Sequence, residues 1–451
     1  MIVHLIAPFR TLINLHTEYF LAHPDTLETT LQNVATTLQK SGSIAARTSP
    51  KSTHGSMQKF ASLGDDLGTV FSSPFFEIEL PTKPMANMTK VMVSSFDKLR
   101  SADVTSATLY VFDNTIAVGH VRIDVEVEAI ETAADAETLD RLTSSLMSNI
   151  IASHMQPVVQ RIVSLLRKSM TTTDSGRRIS LLRKPENYVV FDDIALDKRG
   201  DGSLPNTMLW CNRTIEATEG NEIEANNAAI WLGLDRDHRG ADWPRETVQV
   251  GSSFFLSAAR TAQFVRANIR VQYFYTLLDT LQDSQRRVHN SVFPDMREAR
   301  LRFLERKIHQ VATYTELVLN EFDDYILGLQ SDRKIYTDKL CEVFDMPRLI
   351  ENLQGRSRSV AAKLGRIVEE RTERRQRMLQ AGIVLIGGLQ VMDVLINSIW
   401  MAQSDGHIAD DGVPGYLDLM SQAPADLVMN IVILAALLIA AGYAFKRRRR
   451  S

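Results

Sequence analysis

The spacing of apolar and polar positions changes along this chain. From Val121 to Val127, Val121, Ile123, Val125 and Val127 alternate with Arg122, Asp124 and Glu126. That two-residue period predicts a strand with one wet face. Runs at 75–80, 108–112, 188–196, 208–215 and 229–234 predict further strands, and Asp113-Asn114 marks a turn. Between them, 136–168 reads as helix, kinked or broken at Pro157. From Phe254 onward the period lengthens. Leu301, Leu304, Ile308, Val311, Thr315, Val318, Phe322, Tyr325 and Leu329 recur at three- and four-residue steps, the seam of a coiled-coil arm. Asp345-Met346-Pro347 predicts a break and a restart, with Pro early in the new helix. A second seam follows at Ile350, Leu353, Ser357, Val360, Leu364 and Ile367. Two apolar runs, 379–402 and 427–445, close the pattern. Each is about 20 residues, enough to cross a ~30 Å hydrocarbon core as a helix.

The pattern predicts an α/β or α+β cytoplasmic domain over 1–251, with a flexible excursion at 41–68 rich in Ser, Gly, Thr and Lys. Helical coiled-coil arms would occupy 252–346. A stalk helix over 347–402, ~80 Å long at 1.5 Å per residue, would continue into the first transmembrane helix. An acidic extracytoplasmic loop at 403–426, a second transmembrane helix at 427–445 and a basic cytoplasmic tail at 446–451 would complete the chain. Arg371, Arg374, Arg375 and Arg377 precede the first run, while the loop carries Asp405, Asp410, Asp411, Asp418 and Asp426 and no Lys or Arg. The positive-inside bias then places the protein in the inner or plasma membrane, multi-pass, with both termini cytoplasmic.

Composition narrows the partners. With 44% hydrophobic and 23% charged residues among 451, the chain is of the folded globular type. The formal net charge of -3 gives no reason to expect nucleic acid. Only Cys211 and Cys341 are present, which excludes a disulfide framework and suits a cytoplasmic setting. The first residues are apolar but lack a basic n-region and are not read as a signal peptide.

Within the first apolar run, Gln390, Asp393 and Asn397 share one helical face. An ionisable residue in a membrane helix normally faces protein or water. The stripe is therefore a candidate pore lining, and the competing reading is a hydrogen bond to a neighbouring helix, Asn430 included. Lys446, Arg447, Arg448, Arg449 and Arg450 read as an anchor to anionic lipid or as a basic ring at a pore mouth. Asp235 and Asp237 with Glu246 partly match a calcium loop, though Arg239 stands at its fifth position and an acidic turn explains the run as well. Asp323 and Asp324 on the arm are a further weak metal candidate beside the reading of a solvated helix face. Arg177-Arg178 and Arg183-Lys184 could meet phosphate or simply be surface. The chain has no P-loop, nucleotide-binding glycine fingerprint, HExxH or nucleophile elbow. No catalytic residue is expected, and no cofactor beyond a divalent cation as transported or regulatory ion.

The order of parts resembles the CorA-type cation transporters: an N-terminal α/β domain, helical arms, a stalk becoming the first span, a short outer loop, a second span and a basic tail. The resemblance implies a homopentamer with the first span lining the pore. That family's Gly-Met-Asn triplet has no counterpart in Asn397-Ser398-Ile399-Trp400-Met401-Ala402-Gln403, so no site residue transfers by motif. Two functions follow as expectations. One is a CorA-like cation channel gated by its cytoplasmic domain, partnered by lipid and by itself. The other is a membrane-anchored sensor or effector, in signalling or defence, whose soluble domain binds an unknown cytoplasmic ligand or partner without selective ion transport.

Overall fold

The computed structural model describes residues 1–11, 13, 24–40, 45–48, 74–112, 114–170, 208–233, 245–292 and 298–404. The chain divides into two compact units, 1–361 and 362–451. The first is built on an eight-stranded sheet in the order β2-β3-β4-β5-β1-β6-β8-β7. Its strands are β1 (Ile2–Arg10), β2 (Ala45–Thr48), β3 (Phe76–Glu79), β4 (Leu99–Val111), β5 (Ile116–Val127), β6 (Asn212–Glu216), β7 (Glu246–Val248) and β8 (Ser252–Phe255). Neighbours run antiparallel except β6 and β8, which are parallel.

β1 lies at the centre, pairing with β5 along its whole length and with β6 from Ile2 to Ile6. The β6 ladder ends at Ile6↔Asn212, before Pro8. Pro8 has no N–H to donate, so it sits where that edge of β1 has already left the ladder. The Pro8 carbonyl still accepts from the Leu209 amide at 3.0 Å.

The two faces of the sheet are covered by different layers. Val3, Leu5, Ala7 and Phe9 point into a core shared with α1 (Pro24–Lys40), α2 (Ala86–Ser94), α3 (Ala133–Ile150) and α4 (Gln156–Met170). α3 begins at a capping box. Thr132 Oγ1 accepts from the Asp135 amide at 3.2 Å, and Asp135 Oδ2 accepts from the Thr132 amide at 3.1 Å. A π turn over Ile151–Met155 joins α3 to α4. Pro157 cannot donate to the carbonyl four residues back, and the turn ahead of it widens instead, with the Gln156 amide reaching the Ile151 carbonyl. The ends of Met147 and Met155 rest on Gly119 of β5, where an added Cβ would stand 2.6 Å from Met155 Sδ and 2.8 Å from Met147 Cε.

The other face of the sheet is covered by α6 (Ala258–Val292). A short helix, α5 (Glu222–Trp231), precedes it, capped by the Asn221 side chain. α6 buries Phe264, Val265, Ile269, Val271, Tyr273, Phe274, Leu277, Leu278 and Leu281, residues that point all round its axis. A helix of that kind needs cover on every side. The sheet supplies one side, through Phe112 stacked on Tyr273 at 4.3 Å and Phe255 on Phe264 at 4.7 Å. α7 (Glu298–Gly328) supplies another through Phe322 and Tyr325 against Phe274. α8 (Ser331–Val343) supplies a third through Tyr336, which packs on Phe264 and Phe255. The seam residues Ile308, Val311, Thr315, Val318, Phe322, Tyr325 and Leu329 are all buried. α8 stops where Asp345 takes a left-handed φ of 52°, and α9 (Met346–Ser404) starts at the next residue.

The fold expected at the C-terminus is corrected. Among the described residues, no helix is long and apolar enough to cross a membrane. The first expected span, 379–402, forms the last part of α9. Its uninterrupted apolar stretch runs only from Ala381 to Leu389, between Gln380 and Gln390. At 1.5 Å per residue that is ~13 Å, well short of a ~30 Å hydrocarbon core. Gln390, Asp393 and Asn397 then break the rest. The two-span hairpin, the ion-transport role attached to it and the inner- or plasma-membrane placement with cytoplasmic termini fall with this finding. The second run, 427–445, the loop at 403–426 beyond Ser404 and the tail 446–451 lie outside the described residues, as do 188–196, Arg177-Arg178 and Arg183-Lys184; of the excursion expected at 41–68, Ala45–Thr48 is strand β2 and the rest lies outside the described residues. Of the run at 229–234, expected as strand, 229–233 are the end of α5 and the Gly233 turn that follows it, and 234 lies outside the described residues.

The β4–β5 turn ties the sheet to α6 and α7. Asn114 (φ 63°) and Thr115 (φ 64°) both take left-handed conformations, as the tight turn between twisted strands requires. The buried Asn114 amide donates to Tyr273 of α6 at 2.9 Å, and Tyr314 of α7 donates to its carbonyl. Asn114→Ala removes both bonds and the residue type that best tolerates this φ. It is expected to lower unfolding stability by ~2 kcal/mol or more, read from denaturant midpoints at constant m-value.

Candidate functional site

The residues singled out in the sequence do not converge in the structure. Gln390, Asp393 and Asn397 lie on α9, with Gln390 and Asn397 exposed and Asp393 half-buried. Asn397 Nδ2 donates to Asp393 Oδ1 at 3.3 Å, so part of the stripe is satisfied within its own helix. Around it, Leu379, Ile383, Val384, Ile386, Val391 and Val394 keep 59–73% of their surface exposed. At 100° per residue these six fall within a face roughly 160° wide, with the polar stripe along one margin.

Asp323 and Asp324 are exposed on α7. Asp235 and Asp237 lie outside the described residues, as do Lys446, Arg447, Arg448, Arg449 and Arg450. Glu246, on β7, is held by three partners: Lys339 Nζ at 3.0 Å, Arg260 Nη1 at 3.2 Å and Tyr336 Oη at 3.3 Å. It thereby fastens the edge strand to α6 and α8. Among the described residues, no group of three or more His, Cys, Asp or Glu side chains is arranged to hold a metal ion.

Two polar clusters carry no sequence signal. The first is an open groove of about 650 Å³ beside the ends of β4 and β5. Asp103, Asp124, Glu126, Glu128 and Glu224 line it. Arg100 Nε lies 3.1 Å from Glu128, and the Met1 amino group lies 2.9 Å from Glu224 and 3.8 Å from Asp124. Burial alone raises Glu224, but the Thr218 amide and the ammonium more than offset it and hold its carboxyl below the usual range. Asp124, Glu126 and Arg100 are 61–64% exposed. The groove is thus a solvated, net acidic surface, five carboxylates against Arg100 and the Met1 ammonium, where ion pairs are worth little.

The second cluster lies between the sheet and α6. His4 of β1 and His120 of β5 stack with ring centroids 5.3 Å apart and planes 9° apart. His4 Nδ1 is 3.0 Å from His120 Nε2, and His4 Nε2 is 3.7 Å from Glu216 Oε2, an ion-pair distance too long for a hydrogen bond. His4 is buried; His120 keeps an edge open to solvent although its ring is densely surrounded by protein. That crowding, then His4, then Arg122, push the His120 imidazole far below its usual range. Nearby, Asn268 of α6 donates to Asn212 at 3.1 Å, Gln272 donates to Asn268 at 3.1 Å, and Trp210 Nε1 donates to Gln272. Arg10 donates to Thr280, and burial lowers its guanidinium to about 10 against the pull of Asp279 and Asp283. His4, Arg10, His120 and Asn212 come from strands with both faces covered, and Asn268, Gln272 and Thr280 come from α6.

No family model, no curated protein and no solved structure matches this chain. The CorA-like resemblance therefore has no support beyond the order of parts, whose two-span end is corrected above.

Burial alone raises Glu246, but Lys339, Tyr336 and Arg260 outweigh it and hold the carboxyl below its ordinary range. A lowered carboxylate stabilises the fold above its unfolded pKa and loses that contribution as pH falls through the folded value. Glu246→Gln is expected to cost ~1 kcal/mol at pH 7. The gap to wild type should close below about pH 4, near the unfolded carboxyl value, as followed by thermal midpoints across pH.

Proposed function

We propose that this chain is a self-assembling protein of the sensor or effector class, whose copies join through the apolar face of α9. The observation that supports the reading is the run of six large apolar side chains left more than half exposed between Leu379 and Val394. Burying each is worth ~1.5–3 kcal/mol, far more than a monomer ordinarily forgoes in one patch.

A second copy is the occupant with matching chemistry. It presents an apolar face of equal length. It also brings amide donors, Gln390 and Asn397, to the Asp393 carboxylate of its neighbour, in the same stripe and at seam spacing. A half-buried polar residue within an apolar seam fixes register and copy number at some cost in stability. A face this wide exceeds the two-stranded seam and is suited to more than two helices. On this reading the α/β unit is the part that would meet a ligand or partner.

Sedimentation velocity of the full chain tests the proposal. Wild type is expected to sediment as a closed oligomer at micromolar concentration. Ile383→Glu with Val391→Glu should shift it to monomer without loss of helical signal, since both side chains are exposed in the isolated chain. A monomeric wild type at tens of micromolar would remove the reading.

A further inference from the structure

The His4–His120 contact joins the two central strands on the face that α6 covers. The hydrogen bond between His4 Nδ1 and His120 Nε2 requires one nitrogen to carry a proton and the other to carry none. The charged groups around the pair are few. Glu216 of β6 faces the free Nε2 of His4. Arg122 stands opposite His4 in the β1–β5 register. From β4, Thr108 stands opposite His120, and from β6, Thr214 stands opposite His4; neither titrates. From α6, Thr261 reaches Glu216, and the neighbouring Arg260 is engaged by Glu246.

We propose that the His4–His120 pair, flanked by Glu216 and Arg122, is a proton-sensitive fastening between the central strands and α6, closed when the pair carries at most one added proton and opened by a second.

The chemistry of each state follows from the geometry. In the neutral pair, one ring donates and the other accepts. One added proton can be held without loss. His4 then donates from Nδ1 to His120 and presents Nε2–H to the Glu216 carboxylate, so the new charge faces an opposite one. A second proton removes the only acceptor in the contact. Two N–H groups then oppose each other across 3.0 Å, and two imidazolium rings stack beside the Arg122 guanidinium. Glu216 offsets one charge and not the other. The strands cannot part to relieve this, because β1 and β5 are paired over nine residues. α6 is the element that can lift and admit water. The open edge of His120 gives protons a route in.

The sign is set by the depressed His120. A histidine held below its unfolded value stabilises the fold above that value, about 6.5, and the contribution is lost as pH falls below it. Denaturant unfolding of the full chain at pH 7 and pH 5, compared with His120→Gln, tests the proposal. Each proton taken up on unfolding raises the unfolding constant about tenfold per pH unit. Wild type should therefore lose roughly 30-fold more than His120→Gln between pH 6.5 and 5, while carboxylate effects cancel between the two. An equal pH response in both proteins would overturn it. If His120→Gln does not fold, deuterium uptake of the wild type carries the test. α6 amides, corrected for intrinsic rate, should exchange at least tenfold faster relative to α3 at pH 5 than at pH 7. An unchanged ratio would refute the fastening.

Discussion

Everything in the first unit depends on β1 being buried on both faces. A strand with one wet face can slip by one residue and exchange its sides at modest cost. A central strand between two packed layers cannot, because each alternate side chain is specified by a different layer. Val3, Leu5, Ala7 and Phe9 belong to the core with α1, α3 and α4. His4, Ile6 and Arg10 belong to the face under α6. The register with β5 and β6 is thereby fixed from both sides at once.

The layer on the second face is unusual in being partly polar. α6 meets the sheet through aromatic stacking at Tyr273 and Phe264, yet also through Arg10, Asn212, Asn268 and Gln272. Buried polar groups cost free energy unless bonded, and here they form chains that bond one another. The gain from such an arrangement is positional: a polar chain matches one registry of helix on sheet, whereas apolar contact tolerates several.

How much of this could be read from sequence varied with how one-sided each element is. β5 was legible because its outer end alternates cleanly at Arg122, Asp124 and Glu126, which reach solvent or half reach it. α7 was legible because one face, from Ile308 to Leu329, is buried at regular seam spacing. The restart at Met346 was legible from Pro347. β1 was not, because two buried faces leave no alternation, and the apolar first residues were weighed only against a signal peptide. The run at 229–234 was misread because a short apolar stretch fits a strand or the end of a helix equally. The apolar run beginning at Leu379 was read from its length and its Arg-rich flank, with Gln390, Asp393 and Asn397 taken as a pore stripe; those three residues instead leave too short an apolar stretch to cross a membrane. The histidine pair was invisible because 116 residues separate its members, and only the β1–β5 register brings them together.

Native-state hydrogen exchange, resolved by segment, tests the central claim most directly. If β1 is specified by both layers, at pH 7 the amides of Val3 to Phe9 and those of α6 around Tyr273 should open together, with the largest protection in the unit and one common free energy. Protection of β1 and β5 with α6 exchanging orders of magnitude faster would show that the α6 layer is an accessory, and that the two-sided burial of β1 does not govern the fold.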